Sequence, residues 1–67
     1  MLLVENIDRY CAKKGISVKE FEKRCGIANA TVHKWRINLN SPAFRTILKI
    51  SEATGISADR WTKENGV

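Results

Sequence analysis

The stretch that decides the fold of this 67-residue chain is SVKEFEKRCGIANATVHKWR, residues 17–36. It opens with Ser17 and, three residues later, Glu20. This pair is a capping box, in which each side chain can accept a hydrogen bond from the other residue's backbone N–H, and it predicts a helix start. The apolar residues of that helix recur on one face, at Val18, Phe21 and Cys25. Gly26 ends the helix, because glycine tolerates the positive φ of a tight turn.

A second short helix follows the turn and ends near Arg36. Ile27 precedes it, and Val32 and Trp35 are its inward positions, so we expect these apolar side chains to anchor it to a core. Its opposite side is predicted to carry four residues outward together: Asn29, Ala30, His33 and Lys34. Two short helices joined by a glycine turn are typical of the helix-turn-helix, whose second helix enters the major groove of DNA.

Three further helices are predicted around this pair. The first runs from about Leu2 to Lys14 and ends at Gly15. The fourth is expected to begin with Ser41 as its cap and Pro42 at its first position, where the missing N–H of proline costs nothing. It ends at Gly55.

The last predicted helix is short, with Ser57 as its cap and Trp61 within it. Residues from about Lys63 onward are expected to fray. No repeat, linker or low-complexity run interrupts the chain. The sequence therefore predicts an all-α fold of five helices. It forms one domain over residues 1–67, with the helix-turn-helix at about residues 17–36.

The charge balance points to a polyanionic partner. Twelve Lys and Arg against seven Asp and Glu give a net charge of +5, which creates a field that attracts nucleic acid. Residues 17–41 hold five basic and two acidic residues, so +3 of the +5 lies in the proposed binding segment. A basic surface that serves solubility alone explains the overall charge equally well.

Several classes of protein are excluded by composition. Two cysteines do not make the disulfide framework of a small secreted fold. The apolar start Met1–Val4 is too short for a signal peptide, and no segment approaches the ~20 apolar residues of a membrane span. We therefore expect a reducing cytoplasm. One histidine, no phosphate-binding glycine loop and no recognisable nucleophile–base spacing predict that the chain is neither an enzyme nor a cofactor protein.

A zinc site is not expected. Cys11, Cys25 and His33 are three widely spaced residues, whereas structural zinc takes four close ligands. His33 also points away from the core by the helix phase given above. The cysteines are expected to pack as small apolar residues.

Residues 16–35, ISVKEFEKRCGIANATVHKW, resemble the phage repressor and Cro-like (Xre-type) helix-turn-helix family, in the version common in repressors of Gram-positive phages and mobile elements. The segments SPAFRTILKI (41–50) and GISAD (55–59) also fit the family's fourth helix and the start of its fifth. The resemblance covers roughly residues 3–62. It implies a compact lambda-repressor-like domain. It also implies a transcriptional regulator located at the bacterial nucleoid, namely a repressor that occupies an operator in double-stranded DNA.

Four positions depart from the family pattern. Val18 stands where many members have a bracing Gln, and Glu22 where many have a small Ala, although the Glu-Lys version of the family also has Glu there. Ala28 replaces the usual Ser or Thr cap of the third helix, a loss of about 1 kcal/mol, and the freed N–H groups of Ala28 and Asn29 are expected to meet a DNA phosphate. Thr54 replaces a usual Leu, which suggests a less apolar patch.

The resemblance implies two sets of DNA contacts. Base-reading residues are Asn29, Ala30, Thr31, His33 and Lys34. Asn29 leads because its amide can pair with adenine N6 and N7. Phosphate contacts are expected from Ser17, Lys19, Ala28, Arg36, Asn38, Asn40 and Arg45. The competing interpretations are a capping role for Asn29, a phosphate contact for Lys34 and a merely solvated His33.

Binding by one such helix covers few base pairs, so two copies on a near-palindromic site are expected. The predicted dimer seam contains Ile56, Ala58 and Trp61, with pairing only on DNA and a core position for Trp61 left open. The rival interpretation is a protein-binding module that holds a toxin or an antirepressor. RNA binding is a third option, disfavoured because the sequence shows no exposed aromatic platform.

Overall fold

The computed structural model describes residues 1–67 and contains five helices and no strands. They are α1 (Leu2–Lys14), α2 (Val18–Cys25), α3 (Thr31–Arg36), α4 (Phe44–Thr54) and α5 (Ala58–Trp61). The predicted all-α fold is confirmed. None of the five helices combines the length and the apolar character needed to cross a bilayer.

The helix ends around α2 follow the sequence signals in part. Gly26 has φ +70°, in the left-handed region, and ends α2 as predicted. Ser17 Oγ accepts the backbone N–H of Glu20 at 3.0 Å, which is half of the predicted capping box. The other half does not form, because the carboxylate of Glu20 accepts from Arg24 Nε at 3.0 Å instead.

The starts of α3 and α4 differ from the prediction. Helix α3 begins only at Thr31, and the residue before it, Ala30, has a left-handed backbone with φ +67°. Asn29 therefore lies in the turn ahead of α3 and not in its first turn. The cap predicted at Ser41 is wrong. Ala43 has an extended backbone, so α4 begins only at the next residue, Phe44.

One apolar cluster joins all five helices. Phe21 and Trp61 are its largest fully buried side chains, with ring centroids 5.8 Å apart, and the half-buried Tyr10 packs against both at 5.6 and 5.5 Å. Burial of each ring contributes about 1.5–3 kcal/mol. Trp61 Nε1 donates to Thr54 Oγ1 at 3.2 Å, so the Thr that replaces the family's Leu satisfies a buried indole N–H.

The segment after α5 folds back onto α1, so the prediction that it frays is wrong. The buried amide of Asn6 donates to the carbonyls of Trp61 at 2.7 Å and Lys63 at 3.0 Å. Arg9 donates to Asn6 Oδ1 at 2.9 Å and to the Val67 carbonyl at 3.3 Å. Val67 is buried in the same cluster as the helices. Asn6 thus caps the end of α5 from another helix.

Candidate nucleic-acid interface

Helix α3 is oriented by its two buried residues. Val32 and Trp35 lie in the core, as their spacing predicts, so the opposite side of α3 faces solvent. His33 and Lys34 are exposed on that side, and neither forms an ion pair or a side-chain hydrogen bond within the protein. Two polar side chains on this short helix are therefore free to bind a partner.

The turn before α3 presents Asn29. This residue is exposed, and its side-chain amide makes no hydrogen bond within the protein, so the capping interpretation of Asn29 is wrong. Both the donor and the acceptor of the amide remain available, as a bidentate contact to an adenine edge requires. Thr31 is more constrained, because its hydroxyl donates to the Ala28 carbonyl at 2.6 Å and only its methyl is free.

Glu22 fixes the conformation of this turn, a role that was not predicted from the sequence. Its carboxylate accepts the backbone N–H of Ala30 at 3.2 Å and that of Val32 at 2.9 Å. The cap that Ala28 cannot provide is thus supplied from α2. The sequence does carry a signal for this role. Glu22 stands where many family members have a small residue, and Ala28 stands where they have a capping Ser or Thr.

The predicted phosphate contacts of α2 lie beside the turn. Ser17, Lys19 and Asn29 line one groove between the start of α2 and the turn before α3. Ser17 Oγ accepts a backbone N–H, so its own proton can still be donated to a phosphate. The backbone N–H groups of Ala28 and Asn29 have no acceptor in the protein. This region therefore offers several unpaired donors on one side of the molecule.

Arg36 is engaged within the protein. Its Nη1 and Nη2 donate to the Asp8 carboxylate at 2.8 and 2.9 Å, which links the end of α3 to α1. These hydrogen bonds hold the pKa of Asp8 below its usual value and raise the pKa of Arg36. A phosphate would have to share Arg36 with Asp8. The remaining candidates, Asn38, Asn40 and Arg45, are exposed after α3.

The predicted dimer seam is wrong at Trp61. Its side chain has 0% of its surface exposed and belongs to the core, which was the alternative interpretation. Ile56 and Ala58 are half-buried. The six large exposed apolar side chains lie elsewhere: Met1 and Leu2 at the start of the chain, and Ile37, Leu39, Phe44 and Leu48 after α3. Phe44, 69% exposed, is also an aromatic ring at the surface that the sequence analysis did not expect, although RNA platforms usually stack two or three bases.

Cys11, Cys25 and His33 are not brought together. Both cysteines are buried in the core, as expected of small apolar packers, whereas His33 is exposed on α3. Burial raises the pKa of Cys11 and raises that of Cys25 to about 11, so both thiols stay protonated at neutral pH.

The comparisons with known proteins agree with this geometry. Residues 7–61 match the model of the helix-turn-helix family of Cro/C1 type. No curated protein and no solved structure matches the chain significantly. The matched segment runs from α1 to the last residue of α5 and contains the whole α2–α3 pair. The chain therefore belongs to the Cro/C1-type helix-turn-helix family of DNA-binding regulators.

Proposed function

We propose that the protein is a sequence-specific repressor that places α3 and the turn before it in the major groove of an operator. The observation that carries this proposal is the division of this segment into two sides. Val32 and Trp35 are buried, while Asn29 and Lys34 are exposed with unpaired polar groups. No catalytic step and no cofactor is part of the proposal.

Sequence discrimination is assigned to the exposed side of this segment. Asn29 pairs with an adenine edge, and Lys34 donates to guanine O6 and N7, each good contact discriminating by about 1–3 kcal/mol. Ala30 and Thr31 offer methyl groups to a thymine methyl, and His33 donates to a base acceptor.

Register and salt dependence are assigned to the phosphate contacts. Ser17, Lys19 and the N–H of Ala28 bind on one side of α3, and Asn38, Asn40 and Arg45 on the other. These contacts position the protein without reading sequence. Arg36 adds to them only to the extent that Asp8 releases it.

We propose that two copies bind one near-palindromic site and pair only there. Ile56 and Ala58 are half-buried and leave little apolar contact area, and each copy carries +5. A stable free dimer usually buries about 800 Å² per partner, and like charge opposes it without DNA. Sedimentation should give a monomer alone and a 2:1 complex on a palindromic duplex. A dimer without DNA, or a 1:1 complex at saturation, would contradict this.

The second candidate function is binding of a protein partner such as an antirepressor. It is favoured by the four exposed apolar side chains that follow α3 in the chain: Ile37, Leu39, Phe44 and Leu48. Leu39 and Phe44 are 66% and 69% exposed. Salt separates the two functions, because DNA binding weakens by nearly one log unit per log unit of salt for each phosphate neutralised.

Selection of bound sequences from a random duplex pool tests the proposed function. We expect a defined motif with two half-sites about 10 base pairs apart, centre to centre. Lys19→Ala should weaken all duplexes alike, whereas Lys34→Ala should weaken the selected motif more than unrelated DNA. Recovery of no motif, together with salt-independent binding, would favour the protein-partner function.

A further inference from the structure

Glu22 is the one ionisable carboxylate that the fold buries, with 3% of its surface exposed. It forms no ion pair with any Lys or Arg. Both of its oxygens are used instead by backbone N–H groups across the turn, Oε1 by Ala30 and Oε2 by Val32. A buried carboxylate whose two oxygens both accept from backbone N–H groups fixes the position of those groups.

Besides Glu22, the turn is held by Thr31, whose hydroxyl and backbone N–H donate to the Ala28 carbonyl at 2.6 and 3.3 Å. Helix α3 has six residues, too few to be stable alone, and no local side chain caps its start. Ala30 is left-handed with φ +67°, a conformation that an L side chain adopts only when its surroundings impose it. Asn29 is the residue immediately before it, so the direction of the Asn29 side chain follows from the same backbone.

We propose that Glu22 is a positioning residue for sequence recognition, which fixes the Asn29–Thr31 turn against the bases without touching DNA. The proposal rests on the proposed function. Its consequence is specific: loss of the carboxylate should lower discrimination between duplexes more than it lowers affinity for DNA in general. The phosphate contacts of α2, Ser17 and Lys19, do not depend on the Glu22 carboxylate.

The test compares Glu22→Gln with Glu20→Gln. Both remove one negative charge from α2, and both side chains line the groove beside the turn, but Glu20 is partly exposed, pairs with Arg24 and makes no hydrogen bond to the turn. For each variant, affinity is measured for the duplex selected by the wild-type protein and for an unrelated duplex at the same salt. We expect Glu22→Gln to lower the ratio of the two affinities about tenfold and Glu20→Gln to leave it within about twofold. Equal ratios in the two variants would overturn the proposal.

A second measurement separates positioning from stability. The duplex affinities of Glu22→Gln are measured well below its melting temperature, where the variant is folded. Discrimination should stay low there, and a wild-type ratio at a temperature at which the variant is folded would overturn the proposal. Amide exchange at Val32 should accelerate in Glu22→Gln, and unchanged protection would also overturn it. The wild-type measurement alone tests the proposed function. A wild-type protein that prefers no duplex would contradict both the proposed function and the positioning role of Glu22.

Discussion

Arg36 at the end of α3 and Asp8 on α1 form a two-pronged ion pair, with N–O distances of 2.8 and 2.9 Å. The two residues are 28 positions apart, and the pair fastens the end of α3 to the first helix. Both side chains remain more than 40% exposed, so the pair contributes less than about 1 kcal/mol to stability. Its larger effect is on what Arg36 can offer to DNA.

Asp8→Asn should strengthen DNA binding and steepen its salt dependence. The change releases Arg36 for a phosphate and removes one negative charge from α1, so affinity at low salt should rise severalfold. Glu5→Gln is the matched control, because Glu5 is an exposed carboxylate on the same helix that does not contact Arg36. Equal gains in both variants would show a charge effect alone, and weaker binding by Asp8→Asn would show that the pair orients α3 for binding.

The same pair predicts a pH dependence of stability. Hydrogen bonding to Arg36 lowers the pKa of folded Asp8 below its ordinary value of 3.8. The folded state therefore binds fewer protons than the unfolded state near that pH. The stabilisation is present above pH 3.8 and is lost as pH falls through the folded pKa. Thermal unfolding should show a small advantage of wild type over Asp8→Asn at pH 6 that shrinks as the pH is lowered below 3.8. An advantage that stays constant there would mean that another contact of Asp8 causes it.

Ala30→Gly should stabilise the protein. Glycine adopts φ +67° without the steric strain that alanine suffers, which is worth about 0.5–1 kcal/mol in the free energy of unfolding. Ala12→Gly, on an exposed position within α1, is the control and should destabilise by up to about 1 kcal/mol. Urea unfolding measures both. Destabilisation by Ala30→Gly would show that the left-handed turn is not the solution structure.

Asn6→Ala should be among the most destabilising changes outside the apolar core. It leaves the carbonyls of Trp61 and Lys63 without their buried donor and releases the segment after α5, a loss of about 2–3 kcal/mol. Asn65→Gly removes only an exposed contact to Arg9 at the edge of the same network, and glycine adopts the φ of +52° there without strain, so the change should cost less than about 0.5 kcal/mol. Similar losses in the two variants would show that the network is loose.

Apolar spacing was enough to predict much of the fold. Burial recurs with the helical period, so the spacing of Val32 and Trp35 is enough to predict the inward side of α3. Gly26 identified the turn for an equally local reason, its tolerance of positive φ. Both signals depend only on residues close together in the chain.

The features that the sequence did not predict depend on distant partners. The start of α3 is set by Glu22, which bonds Val32 ten positions away, and the segment after α5 is held by Asn6, 55 positions from Trp61. Arg36 looked like a free cation because its partner Asp8 lies on another helix. Hydrogen bonds of this kind leave no periodic trace in the sequence.

The most direct test of the central claim exchanges one atom of the DNA. In the duplex selected by the protein, each conserved adenine is replaced in turn by 7-deazaadenine, which lacks the major-groove N7. At one adenine per half-site, we predict that wild type loses about tenfold in affinity and that Asn29→Ala loses nothing further. Equal losses by wild type and Asn29→Ala at every adenine would contradict the account, because Asn29 would then not read the major groove.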